Sequence, residues 1–281
     1  MIKETIKEFF GRASIADLIV CIGGLVVLAV WLLKTSLGKK SLINSRPRRN
    51  DMPPYLALIP PIFWFLSVWL LDLVKEKTFP DLSGWQDAFA NNLMWCLGSA
   101  PVVVTGLVIA RIHYARRLKG FGLNLKTIAR DLGVGLLNLL AVMPVVLASI
   151  IVVTLAGKFF IGPEYQMPRH EELQEILTYP QWQVRALIIF TAIAVVPFTE
   201  EVLFRGLFQT LLRSYIIRPW PAIIFGSFIF IIFHANPEHW PALFTLSLCL
   251  GYAYEKSGSL LRPIFIHSLF NAMSVFAALS Q

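Results

Sequence analysis

Seven residues in the last third of the chain have the types and spacings from which an amide-hydrolysing site can be built. They are Glu200, Glu201 and Arg205 in VVPFTEEVLFRGLF, Phe230 and His234 in FIIFH, and His267 and Asn271 in HSLFN. Glu201 and Arg205 are four apart, which puts them on one helix face at salt-bridge distance with the acid on the N-terminal side. Glu200 is rotated by about 100° on a 3.6-residue helix and meets Phe204 at the i+4 position, so its partner must come from another element. His267 and Asn271 again lie four apart and project from one face. Pro197 cannot donate a backbone hydrogen bond, and it lies three residues before Glu200, so a helix distortion is expected where the carboxylate needs access to water.

A carboxylate and a histidine can position and deprotonate a water, and imidazole and amide N–H donors can stabilise a developing oxyanion. Plainer readings exist for each pair. Glu201 with Arg205 is also a structural ion pair, His234 an interfacial histidine, and His267 with Asn271 an interhelical hydrogen bond worth about 1 kcal/mol. His113 and His170 fall in loops and His239 precedes Trp240 at an interface, so these three are read as incidental.

The elements that must hold these groups are membrane helices. Of 281 residues, 56% are hydrophobic and 15% charged, and the mean hydropathy is +0.65, a balance suited to hydrocarbon rather than to a soluble core. Runs of about 20 apolar residues match the bilayer, where only structures with internally paired backbones survive. The runs are 15–33, 53–74, 91–110, 132–156, 184–199, 220–234, 241–254 and 260–279, which predicts an all-α, polytopic bundle of about eight spans. The first reads as a retained anchor, being too long for a signal-peptide core and lacking a cleavage site. The run from Pro241 is short enough to be re-entrant, and Pro60 and Pro61 are expected to kink the second span. No linker or repeat divides the chain. A three-span region, 1–131, is expected to precede a C-terminal region, 132–281, whose protease-like core covers about 184–279. Cys21, Cys96 and Cys249 lie inside apolar runs and read as small buried hydrophobes.

The formal charge of +8 does not indicate nucleic acid, because the basic residues flank the spans. Lys34 to Arg49 and Arg111 to Arg130 contain six Lys and Arg each and are expected in the cytoplasm, together with Arg213, Arg218, Lys256 and Arg262. The intervening loops, with Lys75 and Lys77, and with Lys158 and Arg169 among several glutamates, are expected on the other side, as are both termini. The stretch 170–178 in the fourth loop is expected to form a short amphipathic helix with Trp182 as an interfacial anchor. On straight spans, Glu200 and His267 would lie toward the cytoplasmic side and His234 toward the other, which tilted, short or broken helices would reconcile.

The three motifs, in this order, resemble those of the CAAX-type intramembrane proteases, a family grouped with bacterial bacteriocin-processing and abortive-infection membrane proteins. GYAYEKSGSL from Gly251 is similar to the family's lead-in to its third motif. The resemblance covers about 184–279. It implies that Glu200 and His234 activate a water, that His267 and Asn271 form the oxyanion side, and that Glu201, Arg205 and Phe230 support the site. It also implies catalysis without a metal or other cofactor on a peptide or protein substrate, membrane-associated or lipidated, in a bacterial cell membrane. Three other functions use the same residues. A zinc peptidase has suitable ligand types but lacks the HExxH spacing. An immunity or scaffold protein would need the polar groups only for packing, and a transporter would use them as a proton relay but shows no inverted repeat.

Overall fold

The computed structural model describes residues 15–168 and 170–280. Arg169, counted above in the fourth loop, and residues 1–14 of the N-terminal region lie outside them. The described chain is helical, with long elements α1 (Ile15–Lys34), α2 (Ile59–Thr78), α3 (Trp85–His113), α4 (Ile128–Phe160), the short α5 (Glu171–Thr178), α6 (Trp182–Tyr215), α7 (Pro219–Ile232), α8 (Trp240–Ser257) and α9 (Leu261–Leu279).

Every expected apolar run is helical, and among the described residues five helices are long and apolar enough to cross a bilayer: Pro54–Thr78, Trp85–His113, Leu125–Phe160, Trp182–Tyr215 and Leu261–Leu279. α7 has 14 residues, about 21 Å at 1.5 Å per residue, against the roughly 30 Å of a hydrocarbon core. It is a partial span. The run from Pro241 belongs to α8, an 18-residue helix that returns from the tip of α7 to the opposite end of the bundle. Pro60 and Pro61 lie where a 3₁₀ turn, Pro54–Leu58, passes into α2 within the second span. They fall in its first turn, where a missing N–H leaves no intrahelical bond unmade.

Large side chains such as Phe65, Trp69, Val104, Val152, Phe225 and Ile232 are exposed on the outer faces. So many apolar groups cannot face water, whereas lipid accepts them. Inside, α2 and α3 approach closely because position 98 is glycine: a Cβ there would lie 2.7 Å from Val68 Cγ2, and the Ser67 hydroxyl donates to the Gly98 carbonyl at 2.7 Å. α4 supports α1, α8 and α9.

The four basic loops meet at one end. Arg213 pairs with Glu255 at 2.7 Å, Arg48 donates to the Tyr254 carbonyl, Lys256 to that of Ser41, and Leu260 N–H to that of Gly122. Arg262, read from sequence as a loop charge, is buried on Asp131 at 3.0 Å. The other end is built from 79–84, α5 and 233–239. There Asn92 donates to Glu175 at 2.7 Å and the His170 and His239 rings stack at 4.0 Å. The expected amphipathic helix is therefore present as α5, but it packs inward: Ile176 is fully buried, and Arg185 holds its C-terminal carbonyls.

Candidate functional site

α6 carries the first motif through an irregular stretch. Residues Thr191–Val195 and Val202–Gln209 form π-helical turns on either side of Val196–Glu201, a defect common at functional sites. Its cause is legible. Val196 N–H bonds the Thr191 carbonyl, five residues back, so the next donor in that register would be residue 197. Pro197 has no N–H, which frees the carbonyl of Ala192. The Asn271 amide from α9 donates to that oxygen at 2.8 Å.

Glu201 is fully buried. Its Oε1 accepts from Arg205 Nη1 at 2.9 Å and is 3.0 Å from His267 Nδ1. Arg205 also donates to the hydroxyl of Ser247 at 2.8 Å and to its carbonyl at 3.3 Å, and its guanidinium lies 4.6 Å from the Phe230 ring centre. Glu201 thus does more than balance Arg205, because it also fixes the His267 ring. Ser247 was not singled out by sequence. A lone serine in an apolar helix gives no signal beyond its polarity.

Glu200 is 7% exposed and faces the other way. Its Oε1 is 4.0 Å from His234 Nε2 and its Oε2 is 3.9 Å from His267 Nε2, beyond direct hydrogen bonding. The ring orientations constrain the protons. His234 Nδ1 lies 2.9 Å from the Phe230 carbonyl, which can only accept, so that nitrogen is the N–H. His267 Nδ1 faces the Arg205-paired Glu201 carboxylate, which likewise accepts. In the neutral rings, both Nε2 atoms therefore present lone pairs toward Glu200, and three acceptors converge with no donor among them. A gap of this size is one that a single bridging water can span.

A cavity of about 350 Å³ contains Glu200, His234, His267 and Asn271 in its lining, and its wall continues to Asn91, Asn92 and Trp95 of α3 and to His170, Glu172 and Glu175. The structure therefore brings all four expected catalytic residues to one cavity and stacks the three expected supporting residues behind it. Phe230 fills the space between motifs, edge-on to His267 at 6.1 Å and 4.6 Å from the His234 ring. His170, read as incidental, also lines the cavity. Its position depends on α5 folding back over α3 and α9, which local sequence does not reveal. Among the described residues, no group of three His, Cys, Asp or Glu side chains has the geometry to hold a metal ion.

Comparison with known proteins agrees with this layout. A stretch of 125 residues, 43% of the chain, is 26% identical to an Escherichia coli protein described only as an uncharacterized 24.3 kDa protein. The match spans 58% of that relative's length. No solved structure matches the chain. Residues 181–273, which contain all seven motif residues, match the family model of type II CAAX prenyl endopeptidase Rce1-like proteins.

Proposed function

We propose that the protein is an intramembrane endopeptidase in which Glu200 and His234 activate a water against a peptide carbonyl. The observation that carries this reading is the convergence of the Glu200 carboxylate with Nε2 of His234 and of His267, at 4.0 and 3.9 Å, on one cavity inside a membrane bundle. Glu200 takes the water's proton as the oxygen attacks and returns it to the leaving amine nitrogen as the C–N bond breaks, and His234, held by the Phe230 carbonyl, orients that water. His267 can donate from Nε2 only as the imidazolium, the form in which both ring nitrogens carry hydrogens and Nδ1–H still meets Glu201. It then faces the oxyanion, together with the second amide hydrogen of Asn271, the first being bound to Ala192. Glu201 and Arg205 set the ring orientation. The substrate is a peptide or protein segment that enters the cavity from the membrane surface.

The test is cleavage by the purified full chain in lipid nanodiscs, offered a mass-encoded peptide library in ¹⁸O-labelled water. New C-termini carrying the heavy oxygen are expected from the wild type, and a fall of at least about 10² is expected from Glu200→Gln or His234→Ala. A folded Glu200→Gln variant that cleaves at the wild-type rate would overturn the mechanism.

A further inference from the structure

The bundle is electrically polar along its axis. Sixteen of the 25 Lys and Arg fall in 34–49, 111–130, 213–218 and 256–262, stretches that contain no acid. The contacts described above gather these stretches at one end. The loops and helix ends at the opposite side, 72–87, 157–185 and 233–240, contain five Lys and Arg and nine Asp and Glu. Membrane insertion reads Lys and Arg close to span ends and retains them in the cytoplasm, irrespective of pairing acids, so the basic end is the cytoplasmic one.

The cavity opens at the other end. Its outer wall is Asn91 and Asn92, near the start of α3, with His170 and Glu172 beside α5, and none of its lining residues comes from the four basic stretches. Toward the basic end the site is closed. Arg205 is locked between Glu201 and Ser247, and Leu203, Leu207, Phe121 and Tyr254 are fully buried beneath it. Among the described residues no Lys or Arg lines the cavity, while Glu172 is exposed at its rim and makes the mouth negative there. A peptide bearing Lys or Arg gains there and an acidic one loses.

We infer that the site draws its substrate from the extracytoplasmic face, and that this substrate is a basic, unfolded segment of an exported polypeptide. The inference rests on the endopeptidase reading for the act of cleavage but not for the direction of the opening.

The experiment has three arms. First, in a chain with Cys21, Cys96 and Cys249 replaced by alanine, Glu172→Cys should react with an impermeant maleimide on intact cells, and Lys119→Cys only after permeabilisation. The reverse pattern overturns the inference. Second, a reporter peptide containing Lys and Arg should be cut by spheroplasts expressing the wild type, above a Glu200→Gln background, and by inverted vesicles only after detergent opens them. Cleavage by sealed inverted vesicles alone overturns the sidedness and leaves the peptidase intact. External labelling of Glu172→Cys with no cleavage even in detergent supports the sidedness and sinks the peptidase. Third, Glu172→Gln should lower the ratio of kcat/KM for a basic over a neutral peptide by about three- to tenfold, as loss of one charge several Å away implies at an effective dielectric between those of water and a protein surface. An unchanged ratio overturns the selection by charge.

Discussion

Glu200 and Glu201 are adjacent carboxylates with opposite surroundings, and replacing each should produce opposite defects. Glu201 accepts two hydrogen bonds through one oxygen, from a guanidinium and an imidazole, at 2.9 and 3.0 Å. In Glu201→Ala, Arg205 keeps only the neutral oxygens of Ser247, and a buried cation without its counter-ion costs about 3–5 kcal/mol. At about 2–4 °C per kcal/mol for a chain of this size, the melting temperature should fall by roughly 6–20 °C. Glu200 makes no hydrogen bond to any described residue, and its Oε2 is buried without a partner. Glu200→Gln removes a desolvated charge, so its melting temperature should be unchanged or raised while cleavage falls. The assay is melting of purified protein in detergent, followed by tryptophan fluorescence, alongside cleavage per folded molecule. A Glu201→Ala variant that melts with the wild type would refute the buried-pair argument, and so would a Glu200→Gln variant whose only defect is unfolding.

Asn271→Asp should be more harmful to stability than Asn271→Ala, since a carboxylate set against the Ala192 carbonyl opposes two acceptors, whereas alanine only leaves that carbonyl unpaired at a cost of about 1–3 kcal/mol; equal melting temperatures would contradict the assignment. Gly206→Ala should destabilise by about 1–3 kcal/mol, because its Cβ would lie 2.1 Å from Phe121 Cζ, a fully buried ring; an unchanged melting temperature would show that the ring can move. Dialysis against a tight chelator should leave cleavage unchanged if side chains alone activate the water, and zinc-restored activity would refute that. Burial holds both His170 and His239 below the usual 6.5, with neighbouring histidines adding to it. Their stack is therefore fully stable above about pH 6.5 and weakens as pH falls below it. Hydrogen exchange of 233–240 should accelerate at pH 5.5 relative to 7.5, and His239→Phe should abolish that difference.

Much of the architecture was legible because membrane solvation leaves few alternatives. Eight apolar runs became eight helices, and the i, i+4 spacing of Glu201 and Arg205 became an ion pair at 2.9 Å. What local sequence did not reveal depends on how segments return onto one another. Arg213 and Arg262 look like loop charges, yet each is buried on an acid, Glu255 and Asp131, from a different helix. Ser247 and His170 gain their roles from such returns. Pro60 and Pro61, where a kink was expected, mark the change from a 3₁₀ turn to α-helix within the second span.

The apparent conflict in depth between His234 and the other motif residues is resolved by the length of α7. Counted on full spans, Glu200 and His267 belong near the cytoplasmic side and His234 near the other. α7 stops after 14 residues, about two thirds of the way across, and the turn that follows brings His234 down to Glu200. Trp240 Nε1 holds that turn by donating to the His234 carbonyl at 2.9 Å. A complete span would have carried His234 about 9 Å further, beyond reach of the carboxylate. The same economy operates in α6, where Pro197 opens the helix beside Glu200 and the carbonyl it frees is the one that Asn271 holds. Site and helix break are thus coupled in α6: the break exposes a backbone carbonyl that needs a polar partner, and the partner it takes, Asn271, is a residue of the cavity lining.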